Sequence, residues 1–223
     1  MTIALDKISE IKEVGNDSFR DGNYWFPNPN RTRLYIAPTG RMLNKGQGYI
    51  YDTWLFLVGA AYGITDNITI GAGMSIFPGA DFSEQLIIVS PKIGINSDGP
   101  IEFAIGGMFL TVPVDDPVTV GMINAMGTIG SDNTSLTLGL GYGYADGELG
   151  DKPAVILGGE WRFARKMSFV SENWIIPGVE DAIISYGLRF FGESFSADFA
   201  FANILDEDAI FPGIPYVGLV WNF

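Results

Sequence analysis

From residue 31 onward, apolar and polar positions alternate in runs of about ten residues, the period of a β-strand whose two faces meet different surroundings. Ile68, Ile70, Ala72, Met74 and Ile76 share one face, with Asn67, Thr69, Gly71, Gly73 and Ser75 on the other. Leu136, Leu138, Leu140, Tyr142 and Tyr144 repeat the pattern against Ser135, Thr137, Gly139, Gly141 and Gly143. Phe195, Ala197, Phe199 and Phe201 do so against Ser196, Asp198, Ala200 and Ala202. Short turn clusters at Thr65-Asp66-Asn67, Ser97-Asp98-Gly99, Ser131-Asp132-Asn133, Ala164-Arg165-Lys166 and Gly192-Glu193-Ser194 recur every 28–34 residues. Each interval accommodates two strands and a longer connection, the hairpin unit of a barrel. Longer connections are predicted near residues 38–47, 77–84, 113–117, 145–153, 176–181 and 204–213. Five short turns and six longer loops give twelve strands, with ten as the alternative count, and both chain ends on the short-turn side. The stretches 48–64 and 118–129, each read as one strand, are apolar on both faces, so the pattern does not orient them.

Composition then decides what such strands face. Of the 223 residues 47% are hydrophobic, and mean hydropathy is +0.21. Yet the longest charge-free runs, Pro117–Ser131 and Ala209–Phe223, fall short of the roughly 18–20 residues of a spanning helix. Only helices and closed barrels satisfy every backbone amide inside a bilayer. The expected fold is therefore all-β, a closed antiparallel up-and-down transmembrane barrel over residues 31–223, with residues 1–30 as an N-terminal extension. A soluble ligand-binding β-barrel with an apolar core is the competing architecture. Aromatic residues near strand ends (Tyr142, Tyr144, Trp161, Phe163, Phe190, Phe195, Trp221) favour the bilayer, where such rings settle at the headgroups.

The last nine residues, Pro215-Tyr216-Val217-Gly218-Leu219-Val220-Trp221-Asn222-Phe223, place Val217, Leu219, Trp221 and Phe223 on one face and end on an aromatic ring. This resembles the C-terminal signal of bacterial outer-membrane β-barrel proteins, which implies recognition by the barrel-assembly machinery and location in the outer membrane. The segment Asn28–Ile76, with Gly63-Ile64-Thr65-Asp66-Asn67 leading into a strand, is similar to uncharacterised Bacteroidetes-type outer-membrane barrels, a resemblance that implies no activity. Such barrels put short turns and termini in the periplasm. An export leader is not visible after Met1, and it is expected to have been removed or to lie outside the sequence given. Ile3, Leu5, Ile8, Ile11 and Val14 form a helix-like stripe, and Asn23–Asn30 with its two prolines ends it. The expectation for residues 1–30 is a periplasmic tail packed at the barrel rim. A plug entering the lumen, or a docking helix for a partner, is the sharper alternative.

Charge and missing residue types narrow the chemistry. A net charge of −13 argues against nucleic acid as a partner. Without cysteine there are no disulfides or thiolate metal sites, and no metal or other cofactor is expected. Histidine is absent as well, which excludes the outer-membrane phospholipase, acyltransferase, deacylase and omptin types that rely on it. An acid/base pair would have to come from Glu102, Glu160 and Glu172, and no spacing pairs two of them, so an enzyme is not expected. The glycines of Gly71–Gly73 and Gly139–Gly143 alternate along strands and make room rather than cradle phosphate.

Alternation points Lys92, Glu102, Glu160, Arg162, Glu172, Arg189 and Asp198 into the lumen, since each would cost on the order of 2–4 kcal/mol in hydrocarbon. They are expected to form either a charged constriction for small solutes or ions or a salt-bridge network that closes the barrel. A twelve-stranded lumen lies between the filled eight-stranded and the open sixteen-stranded types. Acids crowd the longer loops, among them Asp115, Asp116, Asp146, Glu148, Asp206, Glu207 and Asp208. They suit an extracellular mouth that enriches cations or shares divalent ions with lipopolysaccharide. The functional expectation is a narrow channel or passive transporter. The alternative is a closed anchoring barrel that presents loops or its N-terminal segment to a partner.

Overall fold

The structure is a computed structural model and describes residues 18–20, 22–95, 99–114, 117–205 and 211–223. Twelve antiparallel strands close into a barrel. They are β1 (Gly48–Thr53), β2 (Leu57–Thr65), β3 (Ile68–Ser75), β4 (Ile87–Ile95), β5 (Ile101–Val112), β6 (Val118–Gly130), β7 (Thr134–Ala145), β8 (Glu148–Ala164), β9 (Met167–Ile175), β10 (Ile183–Phe191), β11 (Phe195–Ile204) and β12 (Ile214–Asn222). Each strand pairs with its sequence neighbours, and β12 pairs with β1 through Gly218↔Thr53 to Asn222↔Tyr49. Reciprocal backbone bonds between Gly48 and Phe223 (2.8 and 2.9 Å) finish the seam, so every barrel strand has a partner on both sides. Gly48 leaves room there for the terminal ring: a Cβ at this position would lie 2.7 Å from Phe223 Cζ.

The alternation read from sequence sets inside and outside. Leu136, Leu138 and Leu140 on β7 are about half exposed, whereas Thr137 is fully buried. Ile68 and Ile70 on β3, Phe103 and Ile105 on β5 and Phe199 on β11 are likewise exposed. So continuous an outward apolar surface would be untenable in water and is what a bilayer covers, which removes the soluble-barrel alternative. Rings ornament both ends of this band. Trp161 packs on Phe163 and Phe195 on Trp221 at the short-turn end; Phe56 packs on Phe77 and Phe109 on Tyr144 at the other.

The count of twelve is reached by a different route at the N-terminal side. Residues 31–37, expected as the first strand, are not part of the barrel, whose first strand begins at Gly48. The stretch 48–64 is instead two strands joined by Trp54-Leu55-Phe56, with Thr53 opposite Leu57. Trp54 (φ 55°) and Leu55 (φ 64°) adopt the left-handed region, at a cost of order 1 kcal/mol or more each. The Trp54 indole N–H donates to the Pro215 carbonyl (2.9 Å), which ties this turn to β12. The predicted 145–153 loop is likewise shorter. Asp146-Gly147, both at positive φ, make a two-residue turn, and β8 starts at Glu148. Asp146 and Glu148 are exposed there. Asp115, Asp116, Asp206, Glu207 and Asp208 lie outside the described residues, as do the helix-like stripe of residues 3–14 and the Ser97-Asp98 part of one short turn.

A luminal segment and the chamber above it

Residues 25–47 occupy the lumen, entering and leaving at the short-turn end. A small hairpin pairing Phe19–Arg20 with Asn23–Tyr24 sits at the entrance, where Arg165 Nε donates to the Tyr24 carbonyl (2.8 Å). Inside, the chain folds back on itself: the Leu34 amide donates to the Ala37 carbonyl (2.9 Å) and the Thr39 amide to the Thr32 carbonyl (3.1 Å). The tip, Leu34, Tyr35 and Ala37, packs against Met126, Ile156, Val170, Ala200 and Tyr216 from five strands, and these form the hydrophobic core of the molecule. Burying Leu34 alone stabilises the insertion by about 1.5–3 kcal/mol. Gly40 lets the returning limb press on the wall, since a Cβ there would fall on the Glu102 carbonyl oxygen and lie 2.9 Å from the Thr128 amide.

All seven charged residues assigned to the lumen do face inward, and each is engaged by this segment. Arg189, fully buried, donates from Nε to Asp198 Oδ1 (2.6 Å), from Nη1 to Glu160 Oε2 (2.9 Å) and from Nη2 to the Leu34 carbonyl (2.6 Å). Asp198 also takes Arg33 Nη1 (2.9 Å), and Glu160 takes Asn28 Nδ2 (2.6 Å). Glu172 Oε2 accepts three successive amides, Tyr35, Ile36 and Ala37, at 2.8, 3.0 and 3.0 Å. Glu102 pairs with Arg31 (2.8 Å) and Arg41 (2.5 Å). Arg162 donates to the Phe26 carbonyl (2.7 Å) and lies over the rings of Trp25, Phe26 and Phe191 at 4.7–5.0 Å. Lys92 Nζ donates to the carbonyls of Thr32 (3.3 Å) and Arg41. The seven do not line an open constriction; they form a polar cradle for a strap of the same chain.

Replacing Glu172 by glutamine keeps the shape but removes the charge that draws three amides to one oxygen. Amide hydrogen exchange at Tyr35, Ile36 and Ala37 is expected to quicken by about tenfold, the loss of a single charge-assisted bond. Unaltered exchange at these three sites would mean the carboxylate does not hold the tip.

Sequence reasoning did not identify the segment's own contributors: Asn28, Asn30, Arg31, Arg33, Tyr35 and Arg41. A signal was present. Between Asp21 and Asp52 this acidic chain has no carboxylate but has Arg31, Arg33, Arg41 and Lys45. Those arginines meet the acids on the wall.

Between the strap and the far end of the barrel lies a chamber of about 720 Å³. Tyr49, Tyr51, Ile88, Met108, Leu110 and Met122 supply much of its wall, and Arg33, Tyr35 and Ile36 of the strap its floor. Among the described residues no group of three or more acids could hold a metal.

No protein-family model matches the sequence, and no curated relative matches it. Solved structures do. The KdgM porin, determined in complex with disordered oligogalacturonate, aligns over 79% of this chain and 98% of its own at 9% identity, with a TM-score of 0.57. The fold is that of a bacterial outer-membrane β-barrel. The outer-membrane protein Omp33 of Acinetobacter baumannii aligns over 79% of this chain and 95% of its own, at 9% identity and a TM-score of 0.44.

Proposed function

We propose that this outer-membrane barrel is a gated transporter for small solutes, closed in this structure, with residues 25–47 as its gate. The carrying observation is that all seven luminal charges bind the strap instead of lining an open path. The short-turn end is then periplasmic, where Phe223 ends the segment that the barrel-assembly machinery reads, and the chamber opens toward the outside. Solute enters the chamber, and passage follows when the strap withdraws toward the periplasm. The exposed Asp146 and Glu148 belong to the outer mouth, where cations or lipopolysaccharide-bound divalent ions would gather.

The chain has no cysteine, so paired thiols can be introduced cleanly. Asn30 and Ser196 exchange hydrogen bonds at 2.7 and 2.9 Å. In planar bilayers, N30C/S196C joined by a short bifunctional thiol-reactive (alkylating) crosslinker should be silent. The same protein without crosslinker should show infrequent openings, and removing residues 18–44 should give steady conductance steps. A closed anchoring barrel predicts silence in all three, and a segment-free barrel that folds yet does not conduct would decide for it.

A further inference from the structure

The chamber is mostly apolar, but its deep end is not. Thr69, Lys92, Gly106 and Asn124 are successive register partners across β3, β4, β5 and β6, so they form one rung on the inner wall. All four line the chamber, as does Thr32 of the strap. Thr69, Lys92, Asn124 and Thr32 are each at least nine-tenths buried. Thr32 Oγ1, Thr69 Oγ1 and Asn124 Oδ1 have no hydrogen-bond partner in the protein. Arg33 Nε, on the floor beside them, has none either.

Lys92 differs from three of the four other buried cations; the fourth, Arg162, is held by carbonyls and aromatic faces outside the chamber. Arg33, Arg41 and Arg189 each have a carboxylate within 4 Å, whereas among the described residues Lys92 meets only backbone carbonyls. An ammonium has three donors, and two are used. A buried charge ordinarily has a counter-ion, because desolvation is otherwise uncompensated. Among the described residues the one acid lining the chamber, Asp52, is the register partner of outward-facing Leu219, near the far rim. The deep rung, with Thr32 beside it, therefore offers an anion two hydroxyl donors and a cation without a carboxylate partner among the described residues. It also offers an amide whose N–H groups meet the anion once the Asn124 side chain is flipped, all beneath aromatic, aliphatic and thioether walls.

We infer that the chamber binds a small carboxylate with an aromatic or branched aliphatic body, its anionic end on the Thr69–Lys92–Asn124 rung and its apolar body toward the mouth. The volume falls within the range of about 300–1,000 Å³ usual for small-molecule sites. This assignment rests on the transporter reading and names its substrate class.

The test is calorimetric titration of the full chain in detergent micelles with 2-naphthoate and with its neutral analogue, 2-naphthamide. Wild-type protein should bind naphthoate saturably and at least tenfold more tightly than the amide, a single charge-assisted contact being worth about that factor. Lys92→Met should abolish the preference, Lys92→Arg should retain most of it, and Lys166→Met, at an exposed position outside the strap and the chamber, should leave it intact. Equal affinity for the two probes, no saturable binding of naphthoate, or an undiminished preference in Lys92→Met would each overturn the assignment. Should Lys92→Met not fold, the wild-type ratio of the two affinities decides by itself. Binding is read at equilibrium with the strap in place. Loss of the naphthoate preference alongside conductance in the strap-free barrel would refute the substrate class and leave the gate standing; the reverse would refute the gate alone.

Discussion

Arg189→Met should lower the unfolding free energy by about 3–5 kcal/mol, the usual cost of removing one partner from a buried ionic network. The substitution fills most of the volume but leaves Glu160 with Asn28 as its remaining partner, Asp198 with Arg33, and the Leu34 carbonyl with the longer Arg33 contact alone. These groups sit where water does not reach, so the loss is not recovered by hydration. Arg189→Lys should recover only part, because an ammonium cannot span Asp198, Glu160 and a carbonyl with the fork of a guanidinium. Urea titration in micelles, followed by tryptophan emission, measures this. A change under about 1 kcal/mol would mean that the wall and strap do not depend on this arginine for cohesion.

Gly40→Leu should have the largest effect on permeation while sparing the barrel itself. The new side chain would collide with the Glu102 carbonyl and the Thr128 amide, both backbone atoms of paired strands that cannot retreat. The strap must therefore give way, taking Arg41 from Glu102 and the Gly40 amide from Thr128 Oγ1. The expected outcome is a folded barrel, with unchanged heat-dependent gel mobility, that conducts far more often than wild type. Full folding with unchanged opening frequency would show that the returning limb is not part of the closure.

The two kinds of error in reading the sequence have different physical origins. Alternation bears on the charged residues because a period of two leaves a charge in the membrane only one tolerable face. Turn chemistry failed at Trp54-Leu55-Phe56, which contains no glycine, proline, asparagine or aspartate. At a membrane rim an apolar turn is tolerated, and the Trp54 indole supplies the anchor that turn residues normally provide. The plug alternative covers only residues 1–30, and residues 31–47 read as strand and loop for another reason. Thr32, Leu34 and Ile36 alternate with Arg31, Arg33 and Tyr35 as a strand would, yet the segment is held by side chains from distant strands, and local patterning does not encode such partners. The charge bias between Asp21 and Asp52 was the legible trace of it.

The strap's path has a consequence for assembly. Both limbs open at the same end of the barrel, and the segment joins β1 directly at the seam with β12. It can therefore slide in as a bent loop after the cylinder has sealed, without any chain terminus being threaded through the pore. Folding needs no knot-forming step, and the order of events can be sealing first and occlusion second. The small hairpin lies on the side from which the loop came, so a pull from that side would extract the loop without unpairing a barrel strand.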